Sequence, residues 1–453
     1  MNAARPTPRL TPRRAWPAVV SAAALALTLT ACGGSDGGSS DKAVDPAKAL
    51  STPTTLTFWT WVPGIQKTVD LFEKKYPKIK VNVVNAGQSK AAYTKLQTAI
   101  KAGTGAPDVA QMEYFALPEF ALSKRLVNLE DYGAADLKSK FAPSAWSQVA
   151  INDGIYGIPQ DTGPMAMFYN KKVLDELKIQ PPKTWAEFEA AAVKIHKADP
   201  KNYITSIDPG DAGGVDSLLW QAGSRPFQQK NPTSVDLNFQ DAGAKKVSKM
   251  WTSLVDRGLV DATPGWTNEW WQSMSKGQYA MWITGAWAPG NLAGTMPKTT
   301  KDWRAAPVPQ WSAGESVSAE NGGSANVVPT TTKNKAAAVA FAQWLNSDPV
   351  ATASLSDNGL FPATSGLLKS KAFLDKPVEA LGGQRANKVL AASSDDVGKG
   401  WQYLPYQVYA NSVFKDTVGQ SLGSSPDMSA GLAAWQKRAA EYGKRQGFEV
   451  STP

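Results

Sequence analysis

A chain of 453 residues, 42% hydrophobic and 19% charged, can bury far more than a small domain's core, and its single cysteine excludes a disulfide framework. The formal net charge of +9 falls to +5 without Arg5, Arg9, Arg13 and Arg14, and the remaining Lys and Arg are scattered, which excludes a nucleic-acid surface. A single histidine, His196, leaves little basis for a His-based triad or a histidine-rich metal site.

The four arginines precede an apolar, Ala/Leu-rich run over 15–30, the layout of an export leader. That run is too short for a good membrane span, and no later stretch approaches the roughly twenty apolar residues a span needs. It ends on Leu29-Thr30-Ala31-Cys32, which resembles the bacterial lipobox, with cleavage after residue 31 and acylation of Cys32. Stable anchoring takes more than one acyl chain, so a doubly acylated Cys32 would hold the exported chain at the outer face of the cytoplasmic membrane. An ordinary buried thiol would not sit between such a leader and Gly33-Gly34-Ser35-Asp36-Gly37-Gly38. Residues 32–53 read as the lipidated cysteine and a flexible tether.

Beyond the tether, alternation over 54–61 predicts a strand, and Ile65, Val69, Phe72 and Tyr76 fall on one helical face. Ile79, Val81 and Val83 predict a second strand, and Tyr93, Leu96 and Ile100 a second helix. A break at Gly103-Thr104-Gly105-Ala106-Pro107 leads to a third strand over 108–112. This βαβαβ order predicts a parallel sheet with right-handed crossovers. Further strands are predicted over 154–159 and 165–169. Helices are predicted over 171–177, over 184–196 behind a Thr184/Glu187 capping box, and after Thr332 and Trp401.

Thr57-Phe58-Trp59-Thr60-Trp61, Phe72-Glu73-Lys74-Lys75-Tyr76-Pro77 and Ala102-Gly103-Thr104-Gly105-Ala106-Pro107-Asp108-Val109 resemble the extracellular solute-binding proteins of ABC carbohydrate importers, the maltose-binding-protein-like group. Tyr156-Gly157-Ile158-Pro159, Phe168-Tyr169-Asn170-Lys171, Pro182-Lys183-Thr184-Trp185, Lys276-Gly277-Gln278-Tyr279-Ala280-Met281, Gly285-Ala286-Trp287, Gly322-Gly323 and Ala340-Phe341-Ala342-Gln343-Trp344-Leu345 follow in the family's order. The resemblance implies an α/β, two-lobed periplasmic-binding-protein-like fold with three hinge crossings, near 161–164, 318–325 and 376–385, and an interlobe ligand cleft. It implies an N-terminal lobe of 54–162 with 322–378 and a C-terminal lobe of 163–321 with 379–453. Sugar binding would close the lobes, and the closed form would be what the permease recognises.

A sugar ring has an apolar face and a rim of hydroxyls, so its site needs aromatic plates together with carboxylates and amides. Seventeen tryptophans, one of them in the leader, suit such plates and lean toward an oligosaccharide. Trp59 and Trp61 end the first strand, where an open parallel sheet meets its ligand, and a period of two sends both to the cleft or both into the core. Gln88 follows the second strand, and Gln111, Glu113 and Tyr114 close the third; Glu113 is either a hydroxyl acceptor or a solvated loop carboxylate. By family position, Asp161 is an acidic sugar ligand at the first crossing and Trp287 stacks on the sugar. Gly323 and Gly322 let backbone approach the ligand or flex at the second crossing. Trp220, Trp401 and Tyr403 are further ligand candidates. Trp185 reads as core, and at least one of Trp266, Trp270 and Trp271 as structural.

A glycosidase would use Glu113 and Asp161 as its carboxylate pair, and a glycan-binding sensor or adhesion lipoprotein would need the same pocket. The resemblance favours binding without chemistry, with no cofactor and no metal. The expected partners are a mono- or oligosaccharide, ABC permease subunits and the membrane through the lipid anchor, with a monomeric chain and no nucleic acid.

Overall fold

Leu56 and Phe58 alternate with less buried neighbours and make Thr54–Trp59 the first strand, β1, of the computed structural model, which describes residues 45–453. The leader, Cys32 and the tether as far as residue 44 lie outside the described residues. The last part of the predicted tether is not loose chain. Pro46–Ala49 forms a helical turn, and Leu50 is buried in the first apolar core, which removes most of its side chain from water.

Gln66–Lys75 (α1) buries Thr68, Val69 and Phe72 and leads to Ile79–Val84 (β2). Ser89–Ala102 (α2) buries Ala92, Tyr93 and Leu96 and leads to Val109–Glu113 (β3). β1 is parallel to both β2 and β3, as the βαβαβ order predicts. The first strand is shorter than predicted. The Gln111 side-chain oxygen accepts the Thr60 hydroxyl at 2.8 Å and the Trp61 N–H at 3.1 Å, so Trp61 leaves the ladder and the period of two stops before it.

The two strands predicted over 154–159 and 165–169 are divided differently. Gly154–Ile155 forms a short hairpin with Ala150–Ile151, and Ile158–Asn170 runs on as one strand, β4, through Gly163 and Pro164. The Gly163 N–H remains satisfied there, donating to the Glu320 carboxylate at 2.7 Å. Trp185–Ala198 (α3) begins at Thr184, whose hydroxyl accepts the Glu187 N–H at 3.1 Å. The Glu187 carboxylate takes the Lys183 N–H at 2.7 Å, so the predicted box closes one residue early.

Thr205–Ile207 (β5), Ala212–Gln221 (α4), Val260–Ala262 (β6), Asn268–Lys276 (α5), Met281–Gly285 (β7), Trp303–Pro307 (β8), Glu320–Val327 (β9), Lys335–Ser347 (α6) and Gln407–Ser412 (α7) complete the frame around the site. Among the described residues, β7, β4, β9, β3, β1 and β2 lie side by side in a seven-stranded mixed sheet whose remaining strand, β8, also pairs with β4. The first half of β4 pairs with β9, which passes on to β3, and the second half pairs with β7 and β8.

Alternation along β4 feeds two apolar cores, Ala166 and Phe168 entering the first, Met165 and Met167 the second. In the first, Phe341 meets Phe58 and Phe72 edge-on at 5.4 and 4.8 Å. That core also takes in Trp270, Trp282 and Trp303, so it extends beyond the N-terminal elements. The second gathers Trp185, Phe227, Trp251, Trp401 and Trp435. Among the described residues no helix is long and apolar enough to cross a membrane.

Candidate ligand-binding site

Strand ends β3 and β5 and the bulge of β9 converge on a cavity of about 300 Å³. One wall carries Glu113, Tyr114 and Phe115 with Ser89 and Lys90, and another carries Asp211, Gly213 and Asp216 of the α4 start with Tyr403 and Asn411. Asn321, Gly322 and Gly323 form the floor between them, a bulge in which β9 gains one residue against β4. An adjoining cavity of about 70 Å³ shares Asp211 and Asn321 and is walled by Trp266, Trp270, Trp282 and Trp287.

The larger cavity is rich in acceptors. Glu113 accepts the Tyr93 hydroxyl at 2.9 Å, and that hydroxyl accepts the Glu113 N–H at 2.8 Å. Burial pushes the Glu113 carboxyl up to about 7, against the lowering effect of the Tyr93 and Ser89 hydrogen bonds. Asp216 is 3% exposed and its Oδ1 has no hydrogen-bond partner. Burial holds its carboxyl well above the usual range, and the charge of Asp211 adds to the shift. Asp211 caps α4 by accepting the Gly214 N–H at 3.1 Å, and burial raises its carboxyl too. Lys90 is the only cation in the lining. Such a wall suits a neutral ligand rich in hydroxyl donors and repels anions, while the adjoining indoles suit apolar ring faces.

The structure brings Glu113, Tyr114, Gly323 and Tyr403 to the larger cavity and Trp287 to the smaller. Tyr114 donates its hydroxyl to the Asp161 carbonyl at 3.0 Å, and its ring would lie 2.7 Å from a Cβ at Gly323, whose φ is +98°, so only glycine fits there. Trp287 donates its indole N–H to the Asn321 carbonyl at 2.7 Å. Gln111 and Asp161 lie in neither lining and are joined in a chain beneath it. Gln111 donates to the Ser324 hydroxyl at 3.1 Å, which donates to Asp161 at 2.5 Å.

Trp59 and Trp61 line a separate recess of about 10 Å³ beside Tyr93, and Gln88 is exposed one residue before Ser89. Trp220 and Trp401 are buried in the second core, stacked on each other at 5.1 Å and 2°. The paired burial turns both indoles away from the cavity lining. Asp208, Asp211, Asp216, Asn321 and Trp266 have no counterpart among the predicted site residues. Asp208-Pro209-Gly210-Asp211, a turn and helix cap right after a short strand, was the signal available for the first two.

Stability should depend on pH through the buried carboxyls. Burial raises Glu113 and Glu320 to about 7 and Asp161 to about 6. Each folded value lies above the unfolded one, so the folded state holds extra protons. The resulting stability is full below the unfolded values of about 4 and is lost as pH rises through about 6 to 7. Glu320, 2% exposed, carries more of this than Glu113, which cavity water screens. The melting temperature of the unliganded protein should fall between about pH 5 and pH 8, and Glu320→Gln, which keeps an acceptor for Gly163, should flatten part of that fall. A wild-type melting temperature level across this range would refute the linkage.

Residues 59–352, more than half of the chain, match the family model described as bacterial extracellular solute-binding protein. The ABC transporter associated binding protein from B. animalis subsp. lactis Bl-04, solved with β-1,6-galactobiose, is 39% identical, with 88% of this chain and 99% of that one covered at a TM-score of 0.79. The galacto-N-biose-/lacto-N-biose I-binding protein of Bifidobacterium longum, solved with lacto-N-biose, is 27% identical, with 88% and 98% covered at a TM-score of 0.78. The arabinooligosaccharide-binding protein of Bacillus subtilis (strain 168) is 28% identical over 308 residues, 64% of this chain and 68% of that one.

Proposed function

Because the chain belongs to the bacterial extracellular solute-binding protein family, we propose that it is the sugar-capturing component of an ABC importer, binding an oligosaccharide without transforming it. The observation that carries this reading is an acceptor-lined cavity beside a tryptophan-walled one, with Asp211 and Asn321 in both linings. Hydroxyls need the first and ring faces the second. Trp287 is the plate; Glu113, Asp211 and Asp216 are the acceptors; Tyr114, Gly323 and Tyr403 shape the wall. Asp161 and Gln111 position the β9 floor through Ser324.

The two cavities belong to a cleft between an N-terminal lobe, 54–162 with 322–378, and a C-terminal lobe, 163–321 with 379–453. β4 and β9 supply the crossings at 161–164 and 318–325, and 376–385 supplies the third. Support comes from β4 being shared between the two cores, from β9 pairing with the first half of β4, and from the β9 bulge lying in the cavity floor. Closure about these strands would present the permease with a ligand-dependent surface. Lipidation at Cys32 would keep the receptor beside that permease.

Titration calorimetry against β-1,6-galactobiose, lacto-N-biose, arabino-oligosaccharides and malto-oligosaccharides tests the reading. Saturable binding of at least one sugar, recovered intact and raising the melting temperature, is the expected result. Silence across the panel, or turnover of any sugar, would refute it.

A further inference from the structure

Lys415–Gly419 is wound more widely than an α-helix, and the Gly419 N–H donates to the Phe414 carbonyl, five residues back, at 3.0 Å. Such wide turns are rare and recur at functional sites. This one follows α7, which carries the cavity residues Asn411 and Ser412 at its end. Gly419 has an ordinary helical backbone, with φ −58° and ψ −45°, so its own conformation would admit any side chain. Its surroundings would not. A Cβ there would stand 2.1 Å from the Pro209 carbonyl oxygen and 3.1 Å from its carbon, both backbone atoms. Pro209 belongs to the turn that carries Asp208 and Asp211. That turn is braced within itself, since the Gly210 N–H donates to the Asp208 carboxylate at 2.7 Å and the Asp211 N–H to the Asp208 carbonyl at 3.1 Å.

Resting on the sugar-binding reading above, we propose that Gly419 is a positioning residue of the ligand site. Its bare Cα lets the wide turn back directly onto Pro209, and that contact sets where Asp211 stands in the acceptor-lined cavity. The wide turn has no room to retreat. Its Thr417 and Val418 are buried, and the C-terminal helix Met428–Arg445 seats it from behind, where a Cβ at Gly431 would come 2.8 Å from the Val418 Cα. The Asp208–Asp211 turn does have room, because Gly210 and Asp211 border a cavity of about 300 Å³. A side chain at 419 must widen the 2.1 Å gap to 3.0 Å or more, and the shift of about 1 Å falls on that turn. Asp211 moves with it as one body, farther than the roughly 0.5 Å that a binding constellation tolerates.

The test titrates β-1,6-galactobiose, lacto-N-biose, arabino-oligosaccharides and malto-oligosaccharides into the wild-type protein, G419A and G243A. Gly243 is the matched control, because a Cβ there would stand 2.4 Å from the Ser224 backbone nitrogen while neither residue lines either cavity. G419A should bind the preferred sugar at least about tenfold more weakly, the scale of one hydrogen bond to a carboxylate. G243A should keep the wild-type affinity whatever stability it loses, and a crystal structure of G419A should show the Pro209 carbonyl displaced by about 1 Å. G431A presses on the same wide turn more gently and stands in if G419A does not fold, weakening binding about two- to threefold. Wild-type affinity in G419A or in its stand-in, equal weakening in G243A, or an unmoved Pro209 beside a weakened site overturns the positioning role alone. Silence of the wild-type protein toward every sugar overturns the sugar-binding reading and the positioning role with it.

Discussion

A Gly163→Ala protein is expected to lose about 3 kcal/mol or more of folding stability, the upper end of what overpacking costs. A Cβ at 163 would stand 2.0 Å from the Asn321 carbonyl oxygen and 2.9 Å from its carbon. Both are backbone atoms of the β9 bulge, so no side chain can swing aside. The same oxygen accepts the Trp287 indole at 2.7 Å, and a Cβ at Gly285 of β7 would approach it to 2.5 Å. Three strands thus converge on one oxygen, and a methyl group at 163 displaces them all. Gly294→Ala is the matched comparison, because a Cβ there meets nothing within 4 Å and alanine favours its helix. Urea unfolding of both variants decides the point; a loss under about 1 kcal/mol for Gly163→Ala would mean that the junction yields freely.

Trp287→Ala is expected to weaken sugar binding at least about thirtyfold, the scale of a central aromatic contact. The change removes the plate and leaves the Asn321 carbonyl without its indole donor. Trp287→Phe keeps an aromatic face but no N–H, so its affinity should fall between the two. Calorimetry on variants that melt like the parent measures both. Equal affinity in Trp287→Ala and wild type would remove Trp287 from the site.

The N-terminal βαβαβ was legible because each element carries its own period and a clear break. β4 was not, since Pro159, Gly163 and Pro164 read as interruptions when the acceptor that satisfies Gly163 lies far away, on Glu320. The strand-end rule located the neighbourhood of the site and reached Glu113 and Tyr114, yet it chose Gln88 where Ser89 and Lys90 line the cavity. A tryptophan near glycine looks the same in sequence whether it faces a ligand or another indole, and Trp220 with Trp401 form such a pair. Asp216 was invisible for a related reason. A carboxyl on a helix looks solvated until the fold buries it at 3% exposure.

The two cores are assembled from segments far apart in the chain: Phe58 waits for Phe341, and Trp220 for Trp401. During synthesis neither core can close on the residues already made, because its partners have not yet emerged. A nascent chain of this design remains unfolded until close to its release. Export of a chain in the unfolded state would profit from that delay, since the topology itself would keep the chain threadable until the far side is reached.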